Sequence, residues 1–300
     1  MGPPRIERDS LGPREVPEPA YWGIQTLRAR ENFPVSGLRS SPHLVTAYAW
    51  LKLACLRTNV ALGGVDAAKG RAVEQAAEEM AAGKFAGEFV VDVFQAGAGT
   101  SFHMNVNEVL ANRALEILGR PRGEYATVSP NDLVNRGQST NDTYPSAAQV
   151  AVLLGFRELR AAVGVLVASL RKKGSEFAPM AKAGRTHLKD AMPVRLGAEF
   201  QAYASALDHV LETLPAVETA LAEIPLGGSA VGSGINSLPG FRVGAVREFA
   251  RLTGLPLRPA RDPFESMQSR WPLGAASAWL RTLSLELIRI ANDLRLLSSG

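Results

Sequence analysis

Three short clusters in this 300-residue chain gather small hydroxyl and amide side chains beside glycine. Gly97-Ala98-Gly99-Thr100-Ser101 stands ahead of a helical pattern beginning at Asn105. Gln138-Ser139-Thr140-Asn141-Asp142 stands ahead of one entered through Pro145, and Gly184-Arg185-Thr186-His187 ahead of one entered through Pro193. A helix N-terminus presents unpaired N–H groups and a partial positive charge, so it attracts carboxylates and phosphates, and nearby hydroxyls or amides add donors. Each cluster taken alone is also what helix capping selects. Three of one design point further, to a site for an anion gripped by neutral donors.

Other chemistries find less support. GAGTS is not followed by the Gly-Lys-Ser/Thr of a phosphate-cradling loop. The glycine-rich stretch from Leu226 to Asn236 lacks the third glycine and preceding strand of a dinucleotide fingerprint, and reads as a tight connection. The histidines His43, His103, His187 and His209 form neither HExxH nor a Cys/His set, so no metal site and no cofactor are expected. His43 falls at a helix start and His209 on a surface or interface. His103 adjoins the first cluster, with a structural and a functional role both open. Cys55 is the one cysteine, which excludes an internal disulfide, and its helical setting marks it as a small buried hydrophobe. Arg185 and Lys189 read as structural or surface charge.

The balance of 46% hydrophobic and 21% charged residues is that of a soluble globular protein. The net charge of +4 is scattered, with no basic run longer than Arg171-Lys172-Lys173, which argues against a nucleic-acid surface. No uncharged apolar window is long enough to span a membrane. The N-terminus has no apolar signal core, and Gly2 is not followed at Ile6 by the Ser or Thr of a myristoylation motif. A cytoplasmic protein is the expectation.

Residues 1–42 read as an extended arm with a short strand or helical turn. Helices are predicted over 43–62, over 66–82 with Asp66 as N-cap, and over 105–118, with an extended piece at 89–94 and a loop with helical turns at 119–140. The second half keeps a heptad rhythm in three segments. Val152, Phe156, Leu159, Val163, Leu166 and Leu170 mark the first. Leu196, Phe200, Tyr203, Leu207, Val210, Leu214, Val217 and Leu221 mark the second, and Leu280, Leu283, Leu287, Ile290, Leu294 and Leu297 the third. Long helices packed at small angles produce this pattern. Pro145, Pro193 and Pro272 sit near helix starts, and Pro215 predicts a kink. Apolar residues off the seam, such as Ala151, Leu154 and Val165, predict burial on more than one side, by neighbouring subunits or by further helices of the same chain. The fold class is all-α, a long-helix bundle over 141–300 with a mostly helical N-terminal domain over 1–140.

Five stretches carry a resemblance: RIERDSLGPREVPEPAYWGIQTLRARENFPVSG, GAGTSFHMNVNEVLANRALE, SPNDLVNRGQSTNDTYPSA, GRTHLKDAMPVRLGAEFQAY and IANDLRLLSSG. Together they make the chain similar, over essentially its whole length, to the fumarase/aspartase superfamily. The resemblance implies a homotetramer around a central helical bundle, active sites shared between subunits, and cofactor-free elimination that yields fumarate from a small dicarboxylate. By that resemblance Thr100, Ser139 and Thr140 hold the carboxylate that becomes the aci form. Asn141 and His187 lie near the leaving amino group, Thr186 near the other carboxylate, and Ser101 adds a contact. The small residues of GAGTS, with no Gln after Thr100, resemble aspartases, as does ENFPVSG. So does Ser129, where fumarases usually have a histidine. Aspartate ammonia-lyase is the expected activity, with class II fumarase the alternative.

A helix from about 143 to 172 would be on the order of 45 Å long. If the next long helix ran antiparallel to it, Ser139–Asn141 and Thr186–His187 of one chain would lie far apart, which also calls for a shared site. The superfamily's catalytic serine sits in a GSSxMPxKxN loop that occurs nowhere in these 300 residues. The chain is therefore expected to be truncated at Gly300 and inactive by itself, or else a structural relative that binds without turnover.

Overall fold

The computed structural model describes residues 3–299; Gly2 and Gly300, on which the lipidation and truncation readings turned, lie outside the described residues. In chain order the elements are β1 (Arg5–Asp9), β2 (Gly12–Val16), α1 (Ile24–Asn32), α2 (Pro42–Ala61), α3 (Ala67–Ala81), α4 (Thr100–Ile117), α5 (Thr140–Glu176), β3 (Ala181–Thr186), β4 (Lys189–Arg195), α6 (Leu196–Leu221), β5 (Glu223–Ile224), α7 (Phe241–Thr253), β6 (Arg258–Pro259), α8 (Pro263–Gln268) and α9 (Trp271–Leu297). Helix dominates, as the sequence requires. No helix among the described residues is long and apolar enough to cross a membrane.

The chain compacts into two units that interleave along the sequence, rather than by a single cut at 140/141. One takes residues up to Val152 and Ala222–Arg270; the other takes Leu153–Leu221 and the residues from Trp271 onward. The first unit packs α2 against α3 and α7, and α4 against α1 and α3. Tyr48, Leu51, Leu53, Phe102, Leu110, Leu115, Phe241 and Phe249 fill its core. Asp66 caps α3 as expected, its carboxylate accepting from the Ala68 and Lys69 N–H groups at 3.0 Å. The N-terminal arm is more ordered than expected, an antiparallel β1–β2 hairpin followed by α1. Residues 89–94 form no strand. Their backbone is instead drawn onto polar side chains: Asn105 accepts from Val90 N–H, and Asp92 accepts from Ser36, Gly37 and Phe94 N–H.

In the second unit α6 runs antiparallel to α5. Arg160 pairs with Glu218 at one end, and Arg171 pairs with Asp208 near the other. α9 in turn runs antiparallel to α6, with Trp279 donating to the Val210 carbonyl and Arg289 lying over Tyr203. The heptad seam of α6 is buried at Tyr203, Leu207, Val210, Leu214 and Leu221. α5 buries Phe156, Val163, Val167 and Leu170, and α9 buries Ala276, Trp279, Leu283 and Ile290. Leu166, Leu280, Leu294 and Leu297 of the predicted seams are exposed instead. α6 stays one helix across Pro215, which forfeits the bond to the Leu211 carbonyl.

Two proline assignments shift. Pro145 lies inside α5, which begins at Thr140, and Pro193 lies in β4. Pro272 is the second residue of α9, as expected of a helix start. Replacing the α3 cap by Asp66→Ala should cost about 1 kcal/mol, read as a lower urea midpoint with unchanged slope.

Candidate functional site

The first two clusters converge in the first unit. Gly97 and Gly99 take left-handed backbone, φ +62° and +99°, with Ala98 at +51° between them, and this bend delivers the chain into α4 at Thr100. α4 thus starts five residues before the predicted Asn105, and Thr100 and Ser101 form its first turn. Gly99 packs directly on the Tyr144 ring in the first turn of α5, leaving no room for a Cβ. His103, one turn into α4, places Nδ1 2.8 Å from Thr140 Oγ1, the first residue of α5. Two helix N-termini, one lined by Thr100 and Ser101 and the other by Ser139, Thr140 and Asn141, are thereby tied together.

The glycine-rich stretch at 226–236 closes on the same place. Asp142 is fully buried and accepts from Ser139 N–H at 2.9 Å and from Gly227 and Ser229 N–H at 3.0 Å each. Burial pushes its carboxyl up to about 6, against the pull of those three backbone donors. Asn141 Nδ2 donates to the Ala230 carbonyl at 2.9 Å. Ser229 is held at φ +58°, the left-handed region, where its N–H meets Asp142. The connection read from the sequence is therefore a wall of the cluster, fixed by one buried carboxylate.

Of the predicted site residues, Thr100 and Asn141 are exposed, Ser139 and Thr140 half-buried, and Ser101 buried. Thr100 Oγ1 donates to the Gly97 carbonyl at 2.6 Å. Thr186 and His187 belong to the other unit, and their local structure corrects the sequence reading. They do not precede a helix directly. Thr186 ends β3, and His187-Leu188 form the two-residue turn of an antiparallel hairpin with Thr186 opposite Lys189. Both turn residues have positive φ, +51° and +60°, the twist that two-residue hairpins favour. The hairpin is open to solvent: Thr186 and His187 are exposed, with Leu188 76% and Met192 72% exposed beside them. Gly184 sits at the irregularity in this ladder, where a Cβ would meet the Met192 carbonyl at 2.8 Å.

Sequence reasoning missed Lys52 and Asn135, and it placed Gln138 and Asp142 in the second cluster without giving either a role. Lys52 is buried in α2, and its Nζ meets His103 Nε2, Asn135 Oδ1 and Gln138 Oε1 at 2.9, 3.0 and 2.9 Å. Cys55, one turn along, is buried and free, and burial pushes its thiol up.

The family described as Lyase matches residues 12–300. The aspartate ammonia-lyase of Pseudomonas aeruginosa is 46% identical over 299 residues, covering 99% of this chain and 63% of the relative. A class II fumarate hydratase of Neisseria meningitidis is also 46% identical, over 297 residues, covering 99% of this chain and 64% of the relative. Among solved structures, a fumarate lyase:delta crystallin from Brucella melitensis bound to cobalt is 45% identical with a TM-score of 0.97, covering 99% of this chain and 65% of that one. A class II fumarase from Schistosoma mansoni is 32% identical with a TM-score of 0.94, covering 99% and 66%. The chain thus spans less than two thirds of the length of these relatives.

Asp142→Ala would leave the Ser139, Gly227 and Ser229 N–H groups without their acceptor. The expected loss is about 3 kcal/mol, with faster amide exchange at Gly227 and Ser229 than elsewhere in the first unit.

Proposed function

This chain belongs to the fumarase/aspartase superfamily of lyases, and from that premise we propose that its α4 and α5 N-termini grip a small dicarboxylate, L-aspartate in the first place, for elimination to fumarate. The observation that carries the reading is the tie between the two helix starts, His103 Nδ1 to Thr140 Oγ1, which gathers hydroxyl and amide groups at two positively polarised helix ends, where the Phe102 and Asn141 N–H groups are already taken by the Gln95 and Ser139 side chains. Elimination removes a proton from the carbon beside a carboxylate. That carboxylate becomes a doubly charged aci form, and each preorganised donor aimed at such charge is worth about 3 kcal/mol. Thr100, Ser139 and Thr140 serve this carboxylate, with Ser101 behind them. Asn141 and His187 face the leaving ammonia and Thr186 the second carboxylate. No residue of these 300 is assigned as the base.

Ser129 supports aspartate over malate. Where fumarases usually have a histidine, its hydroxyl is spent locally, accepting from Asp132 N–H at 3.0 Å. The equal identity to an aspartase and a fumarase keeps hydration of fumarate as the alternative. Because these 300 residues are expected to be inactive by themselves, the test uses protein that also carries the serine loop: it should release fumarate from L-aspartate and not from L-malate, with Thr140→Ala lowering turnover about a hundredfold. Turnover of malate alone would overturn the substrate assignment. Dicarboxylate binding without turnover of either would favour the structural relative.

A homotetramer with shared sites is supported by the apolar residues that the second unit leaves uncovered. Val165 of α5 is 69% exposed, and Leu285 and Ile288 of α9 are 55% and 57% exposed. Further copies of this chain would cover them and bring the exposed Thr186–His187 hairpin of one subunit to a neighbour's α4–α5 cluster. The buried free thiol of Cys55 suits a reducing cytoplasm. Light scattering should give a tetramer, and Ile288→Lys should split it into smaller species; a stable monomer of the unaltered protein would remove the shared-site arrangement.

A further inference from the structure

Behind the Thr140 hydroxyl runs a buried chain of polar groups that the reading above leaves unused. Lys52 and His103 are 1% and 2% exposed. Besides the three contacts of Lys52 Nζ, His103 Nε2 lies 2.8 Å from Asn135 Oδ1. The two amides are oriented by other bonds. Gln138 Nε2 donates to the Val134 and Arg136 carbonyls at 3.2 Å, and Asn135 Nδ2 faces the Gln138 carbonyl at 3.4 Å. Both side-chain oxygens are thus turned to Lys52.

Burial, and then the neighbouring Lys52, hold His103 well below its usual range, so its imidazole is neutral and carries one N–H. Two proton arrangements satisfy the cluster, and they differ at both ends. With Lys52 an ammonium, its three N–H groups meet three acceptors. His103 Nε2 then accepts, its 2.8 Å contact with Asn135 Oδ1 becoming acceptor to acceptor and bridged by the ammonium; Nδ1–H donates to Thr140 Oγ1, and the threonine's own proton is free to point into the site. With Lys52 an amine, its two N–H groups serve Asn135 and Gln138, and its lone pair shares Nε2–H with Asn135 Oδ1. Nδ1 is then bare and takes the threonine proton, so Thr140 presents only lone pairs to the site. Any mixture sets donor against donor or leaves a buried N–H unmade.

We propose that Lys52 is a positioning residue which decides, through the tautomer of His103, whether Thr140 donates or accepts at the dicarboxylate site. This rests on the assignment of Thr140 to the substrate carboxylate. The exchange balances. Thr140 Oγ1 gains one proton from solvent and passes its own to Nδ1, while Nε2 gives its proton to Lys52, turning amine into ammonium. Burial brings Lys52 down to about 7, so both states are within reach near neutrality.

The titratable groups around Lys52 come from several elements. Asp142 on α5, when ionised, favours the ammonium, while Cys55 on α2, its thiol pushed up by burial, stays neutral. His103 comes from α4, while Tyr48 on α2 and Tyr144 on α5 complete the ring cluster. On the α3 and α7 sides Glu74, Glu78 and Glu248 pair with Arg57, and the guanidinium of Arg136 lies beside Gly64.

With four histidines in the chain, side-chain ¹⁵N signals can be resolved in the intact protein, and His103→Gln identifies those of His103. The ligand-free protein should show the Nδ1–H tautomer below about pH 7 and Nε2–H above it. Lys52→Met should show Nε2–H throughout. A single tautomer across the range in the unaltered protein, or an imidazolium, would overturn the proposal; should His103→Gln fail to fold, the proximity of the His103 ring to that of Tyr48 identifies its signals in the unaltered protein. Calorimetry with fumarate should show affinity falling about tenfold per pH unit above the switch, because only the donating state is competent. Fumarate bound with affinity independent of pH would overturn it too. A switching His103 in a protein that binds no fumarate at any pH would uphold the relay and remove the dicarboxylate reading instead.

Discussion

The first unit closes around a buried carboxylate. Asp142 has lost its water, and a carboxylate in that position persists only if donors replace the hydration it gave up. The chain supplies them from two places: the N–H of Ser139 at the mouth of α5, and the Gly227 and Ser229 N–H groups of a loop returning from far along the sequence. The loop must adopt left-handed backbone at both Gly227 and Ser229 to aim those groups inward, and the second of these is not a glycine. Strain at Ser229 and desolvation of Asp142 are each unfavourable alone; together with three charge-assisted hydrogen bonds they define one geometry for the α5 N-terminus.

The same logic runs along α4. Asn105, Glu108 and Asn112 are fully buried there, on a helix that has core on every side. Each binds backbone groups of a loop or of a helix start. Asn105 takes the 88–90 segment, Asn112 takes the carbonyl of Tyr21 and the N–H of Gly123, and Glu108 accepts from Gly23, Gln25 and Thr26 at the start of α1. Burial pushes Glu108 up to about 7 despite these donors, and Glu7 stands on the other side of Gly23. A Cβ on Gly23 would lie 2.6 Å from Glu7 Oε2 and 2.9 Å from Glu108 Oε1, so only glycine fits between the two carboxylates. α4 is therefore a polar spine to which loops are fastened, and its N-terminus is held beside that of α5.

What the sequence made legible follows from which forces are local. The Asp66 cap needs only its own helix, and it was readable. The heptads of α6 were readable because an apolar seam against two antiparallel neighbours repeats every few residues. The β3–β4 hairpin was not. Both of its faces are largely exposed, so it lacks the alternation of apolar and polar residues that betrays a strand, and its turn is His-Leu rather than the glycine-bearing pair that signals such a turn. Lys52 was invisible for a different reason. A lysine within WLKLACL reads as the solvent side of an amphipathic helix, and only the arrival of His103, Asn135 and Gln138 from elsewhere in the chain makes its burial tolerable. The candidate residues Thr100, Thr140 and Asn141 were singled out because hydroxyls and amides gather there ahead of helix starts and because those stretches resemble the superfamily; the groups that hold them in place were not, because support is a property of the folded chain.

On the dicarboxylate reading, the placement of the cation has a reason. An arginine or lysine in direct contact would hold a substrate carboxylate and its aci form with nearly the same geometry, and uniform binding does not raise the rate of the chemical step. Hydroxyls and helix N–H groups aimed at the developing charge discriminate better, since their orientation is fixed before the charge appears. Setting the ammonium of Lys52 behind His103 keeps its field near Thr140 while leaving the contact itself to a neutral donor. The desolvation that lowers Lys52 toward neutrality is then inseparable from the arrangement: a lysine exposed enough to stay fully charged would be exposed enough to touch the substrate, and would no longer govern the direction in which Thr140 turns its proton.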